Sequence, residues 1–334
     1  LKTLLGKSYP FFIFFFLLLV FFIADVSYGS VYIPLDEVFN ILLKKNTEKK
    51  SWEIIVWQFR LPKATTALLA GAGLSVSGLL MQTLFRNPLA DAYILGVSSG
   101  ASLGVALLIL AGVGFASFAG QWAIAVSAVV GAASIMALVL FIATQVRQLV
   151  SLLIIGLMLG NGVGALIVIL QSFSNKEELQ RFANWTYGSL GGVDWEKMLI
   201  LAPLVLVGLF SSIFLYKPLN SLLLGDNYAL SMGLNIHKIR IQVILLTSLI
   251  TGCITAFCGI IGFVGIAVPH ICRYLLDTSE HKRLLPACAF LGAILMLACD
   301  MLCQLPYSPH VLPINAITAL VGVPVVVWVI LRRR

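Results

Sequence analysis

Ala64-Thr65-Thr66-Ala67-Leu68-Leu69-Ala70-Gly71-Ala72-Gly73-Leu74-Ser75-Val76-Ser77-Gly78-Leu79-Leu80-Met81-Gln82 is the stretch on which the fold turns. It runs for 19 residues without a charge. A helix that crosses the hydrocarbon core needs about 20 mostly apolar residues, each rising ~1.5 Å. Gly71, Ser75, Gly78 and Gln82 fall at helical spacing on one face. Leucine gains little by leaving lipid for leucine, so membrane helices associate where small residues let backbones approach. The stretch therefore reads as a spanning helix packed inside a bundle.

Further runs of the same kind lie near 10–29, 92–112, 119–143, 150–171, 198–216, 240–258, 285–304 and 312–331, with a shorter tenth at about 261–275 holding Gly262, Gly265 and Pro269. Ten spans leave short loops and no room for a soluble domain. The expectation is an all-α polytopic membrane protein, residues 1–334 forming one transmembrane domain, with longer segments at about 30–63, 172–197 and 217–238. Composition agrees: of 334 residues 60% are hydrophobic and 11% charged, where soluble domains carry about 25% charge, and the mean hydropathy is +1.02. That excludes a soluble globule and, by its Leu, Ile, Val and Phe content, a disordered chain. The net charge of +8 does not make a nucleic-acid binder, because Lys and Arg are scattered. The first run follows Lys2 and Lys7, is longer than a signal-peptide core and lacks a small-x-small cleavage site, so it reads as a retained helix.

Lysine and arginine set the orientation. With both termini in the cytoplasm, thirteen of the 22 fall inside (Lys2, Lys7, Arg86, Arg147, Lys217, Lys238, Arg240, Arg273, Lys282, Arg283 and Arg332 to Arg334) and nine outside (Lys44, Lys45, Lys49, Lys50, Arg60, Lys63, Lys176, Arg181 and Lys197). Trp52, Trp57, Trp185, Tyr187 and Trp195 gather at the expected outer interface.

Several patterns resemble chemical motifs without their context. Gly6-Lys7-Ser8 has the tail of a phosphate-binding loop, but its first glycine would fall at Leu1 and no strand precedes it, so any ATP would be used by another chain. Gly96-Val97-Ser98-Ser99-Gly100 fits a nucleophile elbow, yet it opens a membrane span, and Asp300 follows His270 instead of preceding it. His237, His270, His281 and His310 show no metal-ligand spacing. Cys253, Cys258, Cys272, Cys288, Cys299 and Cys303 form no CxxC pair and read as packing thiols. Asp91, by an inner loop, and Asp300, a turn before Gln304 near the outer end, read as hydrogen-bonding groups more than proton carriers.

Gly96, Gly100 and Gly104 make one small-residue stripe, and Gly156, Gly160 and Gly164 another. One reading is tight helix packing. The other is that Ser98, Ser99, Ser102 and Asn161 beside them face a polar path. On the inner side, the segment from Lys217 to Leu234 reads as two short helices, with Pro218 opening the first, Gly225 closing it, Asp226 capping the second and Gly233 ending it. Leu222, Leu223, Leu224, Ala229, Leu230 and Met232 are then available to a partner protein or the membrane surface, or fold back on the bundle.

Arg60-Leu61-Pro62-Lys63, Gly71 to Gly78, Met81-Gln82, Phe85-Arg86-Asn87-Pro88-Leu89-Ala90-Asp91 and Leu95 to Ala101 together resemble the signature of the FecCD type of ABC permease. The likeness continues through Gly188-Ser189-Leu190, Leu224-Gly225-Asp226, Gly259 to Gly265, Val268-Pro269-His270, Arg273 and Leu312-Pro313 to Pro324. The resemblance implies uptake of an iron-siderophore, haem or cobalamin across a bacterial inner membrane. It implies ten helices per subunit and a homo- or heterodimer around a central path, with two ATPase subunits below and a substrate-binding protein above. ATP and magnesium belong to those partner ATPases, and no cofactor or metal to this chain. Leu224, Gly225, Asp226, Ala229, Gly233 and Leu234 match the family's ATPase-coupling segment. Arg60 and Lys63 match outer cations that meet the binding protein, and Gln304 stands at a third such position. Asn87 and Leu89 match an inner constriction, and Gly156 to Gly164 a helix lining the path. Two rivals are a proton- or sodium-driven carrier relying on Asp300 and a membrane hydrolase relying on Ser98.

Overall fold

The computed structural model describes residues 9–29, 31–43, 49–91, 93–111, 122–146, 148–304 and 311–332. Lys2, Lys7, Lys44, Lys45, Arg147, His310, Arg333, Arg334 and the Gly6-Lys7-Ser8 motif lie outside them. The helices in order are α1 (Tyr9–Ser27), α2 (Leu35–Leu42), α3 (Lys50–Ile54), a π-helical segment (Ile55–Arg60), α4 (Leu61–Leu84), α5 (Val97–Ile109), α6 (Ala123–Gln145), α7 (Leu149–Ser172), α8 (Lys176–Thr186), α9 (Trp195–Ile213), α10 (Tyr216–Leu223), α11 (Asp226–Ser231), α12 (Ile236–Cys258), α13 (Val264–Leu276), α14 (His281–Cys303) and α15 (Ile314–Arg332).

Ten of these occupy the ten apolar runs; among the described residues seven helices are long and apolar enough to cross a membrane, and α5, α13 and the Ile314–Trp328 part of α15 are shorter apolar helices. The run at 92–112 shrinks because the chain stays irregular up to Gly96, whose φ is +80°. The segment at 30–63 is more ordered than a connecting loop. It holds α2 and α3, and from Lys50 to Leu84 the chain is helical without a break for 35 residues. Pro62 lies inside this continuous helix and supplies no N–H to it, and the π-helical turn stands directly before it. Arg60 and Lys63 are thus helical residues at one end of the bundle.

Helix α4 is the axis. It packs against α14, α12, α13 and α9, and 89% of its span is buried, against 17–28% for α1, α6, α7 and α9. Its small residues make this possible. A Cβ on Gly71 would lie 2.2 Å from the Gly292 carbonyl oxygen of α14, and one on Gly78 would lie 2.0 Å from that of Gly265 on α13. The Ser75 hydroxyl donates to the Cys288 carbonyl at 2.6 Å, and all six cysteines are buried and free.

The stripe on α5 is packing too, since a Cβ on Gly100 or Gly104 would fall 2.6 Å from Gly131 O or 2.0 Å from Ser127 O of α6. Ser102, a candidate for a polar path by its sequence position, is buried and donates to Ser98 O at 2.9 Å.

Candidate functional site

The two ends of α4 carry the candidate chemistry. At the end beyond Leu84, α10 and α11 form the pair of short helices read from the sequence. Gly225, at φ +118°, takes the N-cap position of α11, and Gly233, at φ +78°, turns the chain toward α12. An L side chain rarely adopts either conformation. Asp226 does not cap as expected. It is the first helical residue, and its carboxylate accepts from Arg86 Nη2 through Oδ1 and from Arg240 Nη2 through Oδ2 at 2.8 Å.

The apolar surface is also smaller than expected. Leu222 and Ala229 are buried with Leu219, fastening the pair to the bundle. Leu223, Leu224, Tyr228, Leu230 and Met232 face outward, Leu224 with 66% of its surface exposed and Leu230 with 57%. Leu234 is half-buried, and its N–H bonds to Ala229 O at 3.1 Å.

A buried polar chain ties α10 down: the Asn220 side-chain oxygen accepts from the His281 backbone N–H at 2.9 Å and ring Nδ1 at 2.7 Å, while His281 Nε2 meets the Thr83 hydroxyl at 2.7 Å. The adjoining loop after α4 is held by His270 Nε2, which donates to the Pro88 carbonyl at 2.8 Å. Asn87 Oδ1 accepts from the Leu89 N–H at 3.0 Å, leaving the Leu89 side chain exposed.

The matches to a path-lining helix divide. Gly156 is buried against Ile94 and Leu95, and Gly160 faces the Ser99 hydroxyl, which a Cβ there would approach to 3.3 Å. Ser98 and Ser99 are half-buried on α5. Asn161 is exposed, and a Cβ placed on Gly164 would have nothing within 4 Å, so this face of α7 has no neighbour among the described residues.

At the opposite end of α4, a cavity of about 430 Å³ is lined by Asp25, Arg60, Lys63, Asp300 and Gln304 among others. Arg60, matched to an outer docking cation, is also engaged within the subunit. Its guanidinium donates to the carbonyls of Val26 (3.0 Å), Ser27 (2.7 Å) and Val31, and Arg60 is 9% exposed. The last carbonyls of a helix have no partner within it, and a cation there also opposes the helix dipole, so Arg60 caps α1. Lys63 pairs with buried Asp300 at 2.9 Å, and Gln304 donates to the same carboxylate at 3.0 Å. Replacing Arg60 by Gln is expected to cost about 3 kcal/mol, from charged hydrogen bonds worth ~1.5–3 kcal/mol each. Thermal unfolding of the purified chain should show a fall of several degrees; an unchanged midpoint would return Arg60 to a purely external role.

Sequence reasoning misses three groups. Asp25 stands out only as an acid inside the first apolar run. Arg86 and Arg240 count for orientation alone, because their joint partner Asp226 is 140 and 14 residues away in sequence.

Residues 17–332 match the profile of the FecCD transport family. The vitamin B12 import system permease protein BtuC of Citrobacter koseri is 38% identical over 282 residues, 84% of this chain and 84% of that protein. The hemin transport system permease protein HmuU of Yersinia pestis is 34% identical over 297 residues, 89% and 88% of the two chains. Among solved structures, a metal-chelate type ABC transporter in an inward-facing conformation superposes with a TM-score of 0.86 at 29% identity, covering 98% of this chain and 100% of that one.

Proposed function

Since the chain belongs to the FecCD transport family of ABC importer permeases, we propose that it is the conduit subunit for a metal chelate of the cobalamin, haem or ferric-siderophore class, driven by a separate ATPase. The observation that carries this reading is the α10–α11 pair, clamped to the bundle through Leu219, Leu222 and Ala229 while Leu223, Leu224, Tyr228, Leu230 and Met232 are left bare. So much apolar surface on two short helices suits a protein partner. That end faces the cytoplasm, as do both termini. A second copy covers the open face of α7 around Asn161, and the path runs between the two, narrowing inside at Asn87 and Leu89. The binding protein seats at the Arg60 end, where Lys63 keeps 19% of its side-chain exposure.

A large polar chelate cannot dissolve in hydrocarbon, and α4 is packed too tightly to let it through a single subunit. Closure of the ATPases would rock α10 and α11 and shift the pair of subunits between two rigid arrangements. The chain supplies no chemical step. The test is uptake by proteoliposomes holding the reconstituted complex, offered cobalamin, haemin and a ferric siderophore in turn. ATP-dependent uptake of at least one, lost without the ATPase and indifferent to uncouplers, is expected. Uptake abolished by uncouplers and independent of ATP would overturn the reading.

Gly233 offers a sharper variant. A Cβ there meets nothing within 4 Å, yet φ is +78°. A Gly233→Val chain should fold, but a β-branched residue in this conformation is strained by about 1–2 kcal/mol, and its bulk protrudes where a partner sits. ATP hydrolysis is expected to continue while uptake falls at least tenfold, and Gly233→Asn, which tolerates positive φ, should recover most of it. Equal uptake by wild type and Gly233→Val would remove this turn from coupling.

A further inference from the structure

We propose that Asp226, gripped by Arg86 and Arg240, is the joint through which movement of α11 reaches α4 and α12, with both arginines acting as positioning residues. The proposal rests on α10–α11 being the ATPase seat. Helix α11 has only six residues, far too few to hold its own orientation. Gly225 and Gly233, both at positive φ with open space beside them, bound it on either side, and only local backbone bonds such as Leu234 N–H to Ala229 O at 3.1 Å close its ends. Beyond its packing on α10, two attachments stand out among the described residues. Ala229 is fully buried and works as a pivot. Asp226, three residues before it, is held on both carboxylate oxygens. A pivot alone would let α11 swing; a pivot and a charged clamp fix its axis.

The clamp also has a defined output. Arg86 follows the last turn of α4, in a left-handed conformation at φ +47°, and its Nε donates to the Leu222 carbonyl of α10 at 2.9 Å. One guanidinium thus holds both short helices. Arg240 stands in the second turn of α12, which packs against α4 along the bundle. A push on α11 therefore arrives at the two helices in the middle of the subunit. Side-chain exposures of 39% for Arg86 and 34% for Asp226 mean that this pair adds little to folding, since ion pairs open to water are worth little. What such a pair can do is set direction, because a carboxylate fixed from two sides has one orientation.

The test compares wild type, Arg240→Gln, Arg86→Gln, Asp226→Asn and Asp226→Glu in the full complex with its ATPase in lipid. Amide hydrogen exchange is followed without nucleotide and after trapping with MgATP and vanadate. In wild type, trapping should alter exchange both in 226–231 and in the loop at 85–91. In Arg240→Gln and Arg86→Gln, the ATPase should be retained within twofold and 226–231 should still respond, while Asp226→Asn is compared at equal ATPase occupancy. The response of 85–91 should fall at least fivefold. Asp226→Glu should restore at least half of it, which a general loosening of the fold would not produce. The charge exchange Asp226→Arg with Arg240→Asp serves as a second rescue should a single variant fold poorly. Persistence of the full response at 85–91 in the two arginine variants would overturn the joint, as would loss of the ATPase from them, which would make the clamp part of the seat. A wild-type complex that retains no ATPase would instead overturn the docking reading beneath it.

Discussion

Glutamate in place of both Leu224 and Leu230 is expected to leave a folded permease that no longer holds its ATPase. Both side chains are more than half exposed, so the free subunit loses little internal contact. In the assembly each would be covered, and burying one leucine side chain is worth about 1.5–3 kcal/mol. A carboxylate put into the same contact adds a desolvation penalty. Together the two changes should weaken association by about 5 kcal/mol, more than a thousandfold in the dissociation constant. Co-purification at fixed detergent and salt reads this directly, with the thermal midpoint of the free subunit as a control. Full retention by the double variant would show that these leucines lie on the lipid surface, the alternative left open by the loop's apolar character.

The second large effect is on folding. Gly78→Leu should yield no folded chain, because the new Cβ would sit 2.0 Å from Gly265 O and 2.4 Å from the Gly265 carbonyl carbon. Backbone stands on both sides of that contact, so no side chain can rotate away, and α4 is the helix that most others touch. Natural domains have about 5–15 kcal/mol of stability in total, and separating α4 from α13 would consume it. Gly162→Leu is the matched control. A Cβ there has nothing within 4 Å, so the isolated chain should fold with an unchanged melting temperature. Association with a second subunit is the property that should suffer. Size-exclusion profiles and melting curves in detergent separate the two outcomes, and a monodisperse Gly78→Leu protein with a normal midpoint would contradict the packing account.

Gly78 and Gly162 illustrate how far the sequence can be read. Both are glycines in apolar helices, and nothing local tells them apart. One meets a backbone carbonyl from α13, which is distant in sequence; the other meets open space. The same holds for Leu222 and Leu224, near neighbours in one short segment, where helical rotation buries the first and exposes the second. Arg60 is legible as a cation near the end of a span. Its carbonyl partners, Val26, Ser27 and Val31, come from the end of α1 and the turn after it, and spacing does not reveal them.

By itself, the sequence determined the solvent of this protein and the places of its apolar helices and of the short inner pair. Both depend on properties summed along the chain: apolar length against bilayer thickness, the spacing of small residues, and glycines bracketing the short inner helices. Only the tertiary structure decided which helix is the axis, which leucines are left bare, and that Asp226 is held by two arginines instead of capping its helix. Those outcomes depend on which surfaces meet across the bundle. Side-chain direction and close approach are properties of pairs of helices, and no single stretch of residues contains them.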